Sequence, residues 1–285
     1  MSLSLGKLKL DGKCHVMGIL NVTPDSFYDG GWHFDSNDAR KRIEEMIEEG
    51  AEIIDIGGES TRPGSKSVSI EEELERVIPA IEFITDISDI PVSIDTQKAE
   101  VARKAVKAGA CVVNDIGGLR DPEMIQAVAE MKVPVIIMHM QGTPENMQKD
   151  PHYDDTVPDI RNWLEERIKA AETAGIRRSD VIVDPGIGFG KNLRHNLEIL
   201  GGLDRFKDMA GGVLLGASRK SFIGFLTGAD DSDRLTGSLA SAMMGATRGV
   251  DRGRVHDGKG TRKGIETINT LNCKSENTQS GADET

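Results

Sequence analysis

The sequence predicts an α/β fold, a closed parallel (β/α)8 TIM barrel in a single domain. Three observations lead there. Eight short apolar runs recur along the chain, and helical periodicity follows nearly every one. Apart from Val250 to Val255, the runs are almost continuous in apolar residues instead of alternating with polar ones, as strands covered on both faces require. Glycine-rich turns and polar side chains collect where the runs end, on the rim where such barrels carry their sites. No composition shift interrupts residues 1–271. Residues 272–285 are mostly polar and are expected to be a disordered tail, because they lack the apolar surface that offsets ordering entropy.

The elements follow in order. His15 to Asn21 is the first strand, and a long polar loop leads to a helix capped at Ser36 or Asn37 and ended by Gly50. Ile53 to Ile56 is the second strand, with Asp55 inside it, and Ser69 before an acidic first turn starts the next helix. Val92 to Ile94 ends on Asp95 and leads to a helix from Lys98 to Lys107. Cys111 to Val113 runs into Asn114 and a helix from Pro122 to Met131, with proline acceptable in the first turn. Val133 to Met138 precedes a long helix around Ile160 to Ala174. Val181 to Val183 ends on Asp184, Gly212 to Gly216 leads through Ser218 to a helix near Asp233 to Thr247, and Val250 to Val255 is the eighth strand.

Composition narrows the chemistry. The chain of 285 residues carries 35 Lys and Arg against 47 Asp and Glu, a net charge of −12. That sign disfavours nucleic acid and anionic membranes as partners, and an anionic ligand would need a local basic cluster or a metal. Cys14, Cys111 and Cys273 are odd in number and lack metal-ligand spacing, which points to reduced thiols in the cytoplasm. Met1 to Asp11 has no apolar signal core, and the run Val133 to Met138 is far too short to cross a bilayer.

The strand ends supply an inventory. Val181-Ile182-Val183-Asp184-Pro185-Gly186-Ile187-Gly188-Phe189-Gly190-Lys191 is an apolar strand that ends on a carboxylate and enters a glycine-rich loop. A carboxylate placed there must be paired or offered to a ligand, since burying it alone is very costly. The spacing does not fit a phosphate-binding P-loop, which would need Gly at Pro185 and Ser or Thr at Asn192. Asn21, Asp95, Asn114, Asp184 and Lys220 arrive at or just past strand ends. Together they suit a flat nitrogen-rich heterocycle, with carboxylates accepting from ring N–H groups while Asn and Lys donate to ring oxygen and nitrogen. Structural ion pairing or turn holding is the plainer use of the same groups. Arg62, Arg254 and His256 can surround a polyanion, or form a solvated basic rim.

Longer stretches join these residues. Met17-Gly18-Ile19-Leu20-Asn21-Val22-Thr23-Pro24-Asp25-Ser26-Phe27 and Asp55-Ile56-Gly57-Gly58-Glu59-Ser60-Thr61-Arg62-Pro63-Gly64 resemble the two signatures of the dihydropteroate synthase family. Ser93-Ile94-Asp95-Thr96, Asn114-Asp115-Ile116, the Asp184 to Lys191 stretch, Gly216-Ala217-Ser218-Arg219-Lys220-Ser221 and Arg254-Val255-His256-Asp257 follow in the family's order. The resemblance spans nearly the whole chain except the tail.

It implies a pterin-binding TIM barrel that joins 6-hydroxymethyl-7,8-dihydropterin diphosphate to p-aminobenzoate, giving 7,8-dihydropteroate and pyrophosphate for folate biosynthesis. By resemblance, Asp95, Asn114, Asp184 and Lys220 hold the pterin ring, Ile116 and Met138 pack on its faces, and Gly216 belongs to the same substrate-binding set. Asn21 would contact a Mg2+ ion riding on the diphosphate, while Arg62, Arg254 and His256 neutralise the departing charge. Thr61, Pro63, Phe189 and Ser221 would line the p-aminobenzoate site. Asp95, Lys220, Arg254 and His256 form the implied catalytic set, and the segments Thr23 to Phe34 and Ser60 to Val68 would close over it.

The chain departs from the family's pattern at Arg252-Gly253, where apolar residues are usual, and at Gly258 and Gly260. Each interior helix glycine costs about 1 kcal/mol relative to Ala, so the last strand and helix are expected to be weakened, with the helix starting late or fraying. Gly237, Ala240, Ser241 and Gly245 allow a close helix approach and suggest a homodimer, or equally packing against the barrel's own strands. Two other functions compete: a pterin-dependent methyltransferase, which would not need the basic trio, and a catalytically silent pterin-binding protein.

Overall fold

The computed structural model describes residues 4–6, 8–9, 12–23, 37–61, 64–65, 67–230 and 233–279. Two very short strands, β1 (Ser4–Leu5) and β2 (Leu8–Lys9), form an antiparallel hairpin. The barrel strands are β3 (His15–Asn21), β4 (Ile53–Gly57), β5 (Val92–Asp95), β6 (Val112–Asp115), β7 (Val135–Met138), β8 (Val181–Asp184), β9 (Leu214–Leu215) and β10 (Arg252–Val255). They pair in the order β8-β7-β6-β5-β4-β3-β10-β9, all parallel. A bridge between Val183 and Val213, with the Val183 N–H donating to the Gly212 carbonyl at 2.9 Å, joins the two ends of that sheet and closes the barrel.

Helices α1 (Asn37–Glu48), α2 (Ile70–Ile87), α3 (Ala99–Ala108), α4 (Pro122–Met131), α5 (Thr156–Thr173), α6 (Leu193–Gly201), α7 (Ser221–Thr227), α8 (Leu235–Thr247) and α9 (Gly258–Gln279) surround it. Their starts follow local chemistry. Ser69 accepts from the Glu72 N–H ahead of α2, Asp121 accepts from Glu123 ahead of α4, and Asn192 with His195 forms a capping box at α6.

The barrel floor is one apolar cluster of Leu5, Met17, Ile53, Val112, Ile136, Ile182 and Leu214, each 0% exposed. Burying each such side chain contributes about 1.5–3 kcal/mol. Side chains alternate along a strand, so the residue two places on from each floor residue shares the inner face. Asp55, Asn114, Met138, Asp184 and Gly216 occupy those places. One period thus builds both the floor and the chemical ring above it.

Several expectations need correction. The hairpin was not anticipated; it seats Leu5 in the floor cluster, which no local periodicity could signal in so short a segment. The short helices α6 and α7 were likewise not assigned, and α5 begins at Thr156, ahead of Ile160. The last helix does not start late: α9 begins at Gly258. A Cβ at Gly258 would lie 3.0 Å from Glu49 Oε2, one at Gly260 3.3 Å from Leu239 Cδ2, and one at Gly264 2.5 Å from Met243 Cε. Close docking on α8 and on the end of α1 offsets the weak helix propensity. β10 pairs with β3 from Arg252 to Val255, but Arg252 is fully buried with no hydrogen-bond partner for its guanidinium nitrogens among the described residues, in keeping with a weakened strand. α9 runs on to Gln279, past residue 271, while 280–285 lie outside the described residues. Gly237 and Gly245 of α8 face inward, where Cβ atoms would strike Ile223 and Leu215 of the same chain, and Ser241 is buried, whereas Ala240 is exposed.

Candidate active site

On one side of the mouth, two carboxylates share one guanidinium. Asp55, 0% exposed in β4, accepts from Arg254 Nε at 2.6 Å and from Asn114 Nδ2 at 3.0 Å, both on its Oδ2. Asp95, at the end of β5, accepts from Arg254 Nη2 at 2.6 Å. Burial pushes the Asp95 carboxyl up, the Arg254 cation pulls it down and the Asp55 charge raises it again, leaving it at about 7. Burial would lower the Arg254 pKa, but Asp55 and Asp95 hold it above its ordinary value. Sequence reasoning placed Asp55 inside a strand and gave it no role. Its one available signal was a carboxylate within an otherwise apolar run.

Across the mouth Asp184, at the end of β8, is held differently. Its Oδ1 accepts the Gly186 N–H at 2.7 Å. Gly186 has φ +71, and a Cβ there would overlap the His139 carbonyl, so this turn admits only glycine. Lys220, just ahead of α7, donates to the Ile187 carbonyl and lies 4.4 Å over the Phe189 ring. A Cβ at Gly216 would lie 3.8 Å from both Asp184 Oδ2 and Lys220 Nζ, so the bare backbone leaves both groups open to the space above it. Burial raises the Asp184 pKa, opposed by Lys220, the Gly186 N–H, Lys191 and Arg254. Burial lowers Lys220 to about 8 despite the pull of Asp184. Ile116 and Met138 join Met140 and Met147 in an apolar cluster on which Phe189 packs. Asp115, accepting the Gly117 and Leu119 N–H groups at 2.7 Å each, braces the turn that carries Ile116.

The remaining positions lie around this centre. Asn21 ends β3, and a Cβ at Gly57 would lie 3.6 Å from its Oδ1 and 3.7 Å from Asp95 Oδ2, so the amide oxygen and that carboxylate overlook the same spot. Ser218 Oγ accepts the His256 backbone N–H at 3.2 Å and lies 3.1 Å from His256 Nδ1. Its hydroxyl proton can then serve Nδ1, which puts the ring proton on Nε2. Arg42 of α1 donates to the His256 carbonyl at 3.1 Å, and Arg219 binds Asp257 through Nε and Nη2 at 3.1 and 2.5 Å. A cavity of about 790 Å³ lies beside Asn21 and His256, with Arg42 and Arg219 on its wall. Thr61 is half-buried beyond β4, and Ser221 is exposed at the start of α7. Arg62 and Pro63 lie outside the described residues, as does most of the segment Thr23 to Phe34. Among the described residues no three His, Cys, Asp or Glu side chains gather to hold a metal by themselves.

The mouth therefore presents carboxylates, an amide and an ammonium over an apolar wall, flanked by Asn21 and His256. This matches a planar heterocycle with hydrogen-bonding edges and an anionic appendage. Comparisons with known proteins agree. The family described as pterin binding enzyme matches residues 17–256. The dihydropteroate synthase of Escherichia coli (strain K12) is 49% identical over 261 residues, covering 91% of this chain and 93% of that protein. A Yersinia pestis dihydropteroate synthase solved with a sulfonamide drug complex superposes with a TM-score of 0.90 at 43% identity, covering 96% of this chain and 100% of that one. The Xanthomonas albilineans dihydropteroate synthase with 7,8-dihydropteroate gives a TM-score of 0.84 at 43% identity, covering 93% and 95%.

Proposed function

The chain belongs to the pterin-binding enzymes and, within them, to the dihydropteroate synthases, and from that membership we propose how its barrel mouth joins a dihydropterin diphosphate to p-aminobenzoate. The observation that carries the assignment of residues is the gathering of Asp95 of β5, Asn114 of β6, Asp184 of β8 and Lys220 of the loop after β9 around one mouth, with Ile116 and Met138 in its apolar cluster. Asp184 accepts from the pterin's amino and ring N–H groups, and Asn114 and Lys220 serve its remaining edge. Phe189, Thr61, Pro63 and Ser221 form the p-aminobenzoate side, and Gly216 leaves the space between Asp184 and Lys220 clear.

The bond from the exocyclic methylene to the diphosphate oxygen breaks, and the electron pair leaves with the diphosphate. Asp95, an anion beside the resulting cation, stabilises it, and the arylamine then bonds to the methylene and gives up one proton. Two of the five N–H donors of Arg254 go to Asp55 and Asp95, which leaves others for phosphate oxygens alongside His256 and Arg62. Asn21 fits a Mg2+ ion that arrives on the diphosphate, because Mg2+ keeps waters and needs few protein ligands. Bound there, the ion would neutralise phosphate charge. Ser218 and Arg42 hold His256 in place.

A homodimer is proposed on α7 and α8, supported by exposed Phe225, Leu226 and Leu235. The inward-facing glycines of α8 do not serve it. The described residues contain no helix long and apolar enough to cross a membrane. A cytoplasmic location is proposed from the free thiols of Cys14 and Cys111. The deciding assay is formation of 7,8-dihydropteroate with release of pyrophosphate, expected with both substrates and Mg2+ present. No product with all three present would overturn the mechanism.

A further inference from the structure

Behind the loop that follows β8 lies a buried polar cluster that the reaction as described does not use. Lys191 is 3% exposed, and its Nζ reaches the Phe189 carbonyl at 2.9 Å, the His139 carbonyl at 3.3 Å and His139 Nδ1 at 3.0 Å. Nζ can donate to both carbonyls in either charge state, while the proton in its contact with His139 Nδ1 comes from the lysine or from the ring according to the ring's tautomer. His139 directly follows Met138, its backbone N–H donates to the Asp184 carbonyl at 2.9 Å, and its ring meets Trp163 edge-on at 5.0 Å. The rest of the loop is fastened as well. Gly188 donates to Asn196 Oδ1 at 2.8 Å and accepts from Gln148 Nε2 at 2.6 Å, and the Gly190 carbonyl accepts the Tyr153 hydroxyl at 2.8 Å. Of these side-chain fastenings, Lys191 alone reaches the residue directly after β7, and so it spans the ends of two strands.

We propose that Lys191 is a positioning residue for both substrates, tying the end of β7 to the loop after β8 so that Met138, Asp184 and Phe189 keep fixed relative positions. The proposal rests on the reading of the mouth as the pterin and p-aminobenzoate site. The charge of Lys191 also acts on Asp184, together with Lys220 from the start of α7 and Arg254 from β10. Burial pulls the Lys191 pKa well below its ordinary value, with Asp184 opposing that pull and Lys220 adding to it. Burial, Lys191 and Arg120 hold the His139 ring neutral, down at about 2. Tyr153, from the segment before α5, and His195, from α6, complete the titratable surroundings.

Two variants separate tie from charge. Lys191→Gln keeps amide N–H donors for the carbonyls and loses the charge, whereas Lys191→Met loses both. Calorimetry with a pterin lacking phosphate should show about tenfold weaker binding in Lys191→Gln at neutral pH. Its acid limb should lie at higher pH than in the wild type, because Asp184 has lost a cation that opposes its protonation. Lys191→Met should in addition raise the p-aminobenzoate KM about tenfold with a smaller change in kcat. Wild-type affinity, pH profile and KM in Lys191→Met would overturn the proposal. Failure of the wild-type protein to bind the pterin would instead overturn the reading of the mouth. A measurement on the unaltered protein guards against variants that do not fold. NMR with isotope-labelled lysine should show slowly exchanging side-chain N–H protons for Lys191, and fast exchange there would equally overturn the proposal.

Discussion

The two sides of the barrel mouth hold their carboxylates by opposite means. At β4, β5 and β10, Asp55 and Asp95 are bonded directly to one guanidinium, with Asn114 filling another position on Asp55. At β8 and β9, Asp184 receives one backbone N–H and is balanced through space by Lys220 and Lys191, whose ammonium groups bond to carbonyls. The first arrangement sets two carboxylates against one cation within the protein, so a negative charge remains in excess. The second leaves carboxylate lone pairs for something else to occupy. A buried charge is therefore a poor guide to function until its partners are known.

Substitutions can break this contrast, starting with the largest effect. Arg254→Met should cost about 3–5 kcal/mol of stability, because it leaves Asp55 and Asp95 buried without their cation. Denaturant unfolding checks this, and adding Asp55→Asn should recover part of the loss. A drop no greater than that of a surface change would mean the pair is not the anchor described here. Asp184→Asn should weaken pterin binding by roughly 2–3 kcal/mol, since a donor then faces ring donors. Its unfolding midpoint should stay close to the wild type, and a large shift would put Asp184 on the structural side of the contrast.

Asp55→Asn on its own sharpens the comparison through pH. The Asp55 charge raises Asp95, so removing it should lower the Asp95 pKa from about 7. Asp95 is needed as the anion, so the acid limb of the kcat profile should move to lower pH. A limb that stays in place would assign it to another group. The smallest effect is expected from Tyr153→Phe, which removes one hydroxyl bond to the Gly190 carbonyl. About 1 kcal/mol of stability should be lost, with little change in pterin affinity. A tenfold loss of affinity would show that this single tether sets the Asp184 side.

The strand ends and their chemistry were legible in the sequence. Asn21, Asp95, Asn114 and Asp184 follow short apolar runs, and the alternation that buries Ile53 and Ile182 places Asp55 and Asp184 on the same inner face two residues later. Local periodicity was enough because a strand's geometry repeats every two residues. Tertiary structure alone decided which charges meet. Arg254 reaches Asp55 and Asp95, far away in the chain, only because β10 lies beside β3 and the barrel closes. The glycines of α8 could serve a partner or the chain's own core, and the close approach of Gly237 to Ile223 and of Gly245 to Leu215 puts them on the core. Leu5 belongs to the floor because a hairpin too short to show any period folds beneath it. A sequence period reports what neighbouring residues do together, whereas pairing between distant buried charges depends on register and closure, which no local pattern encodes.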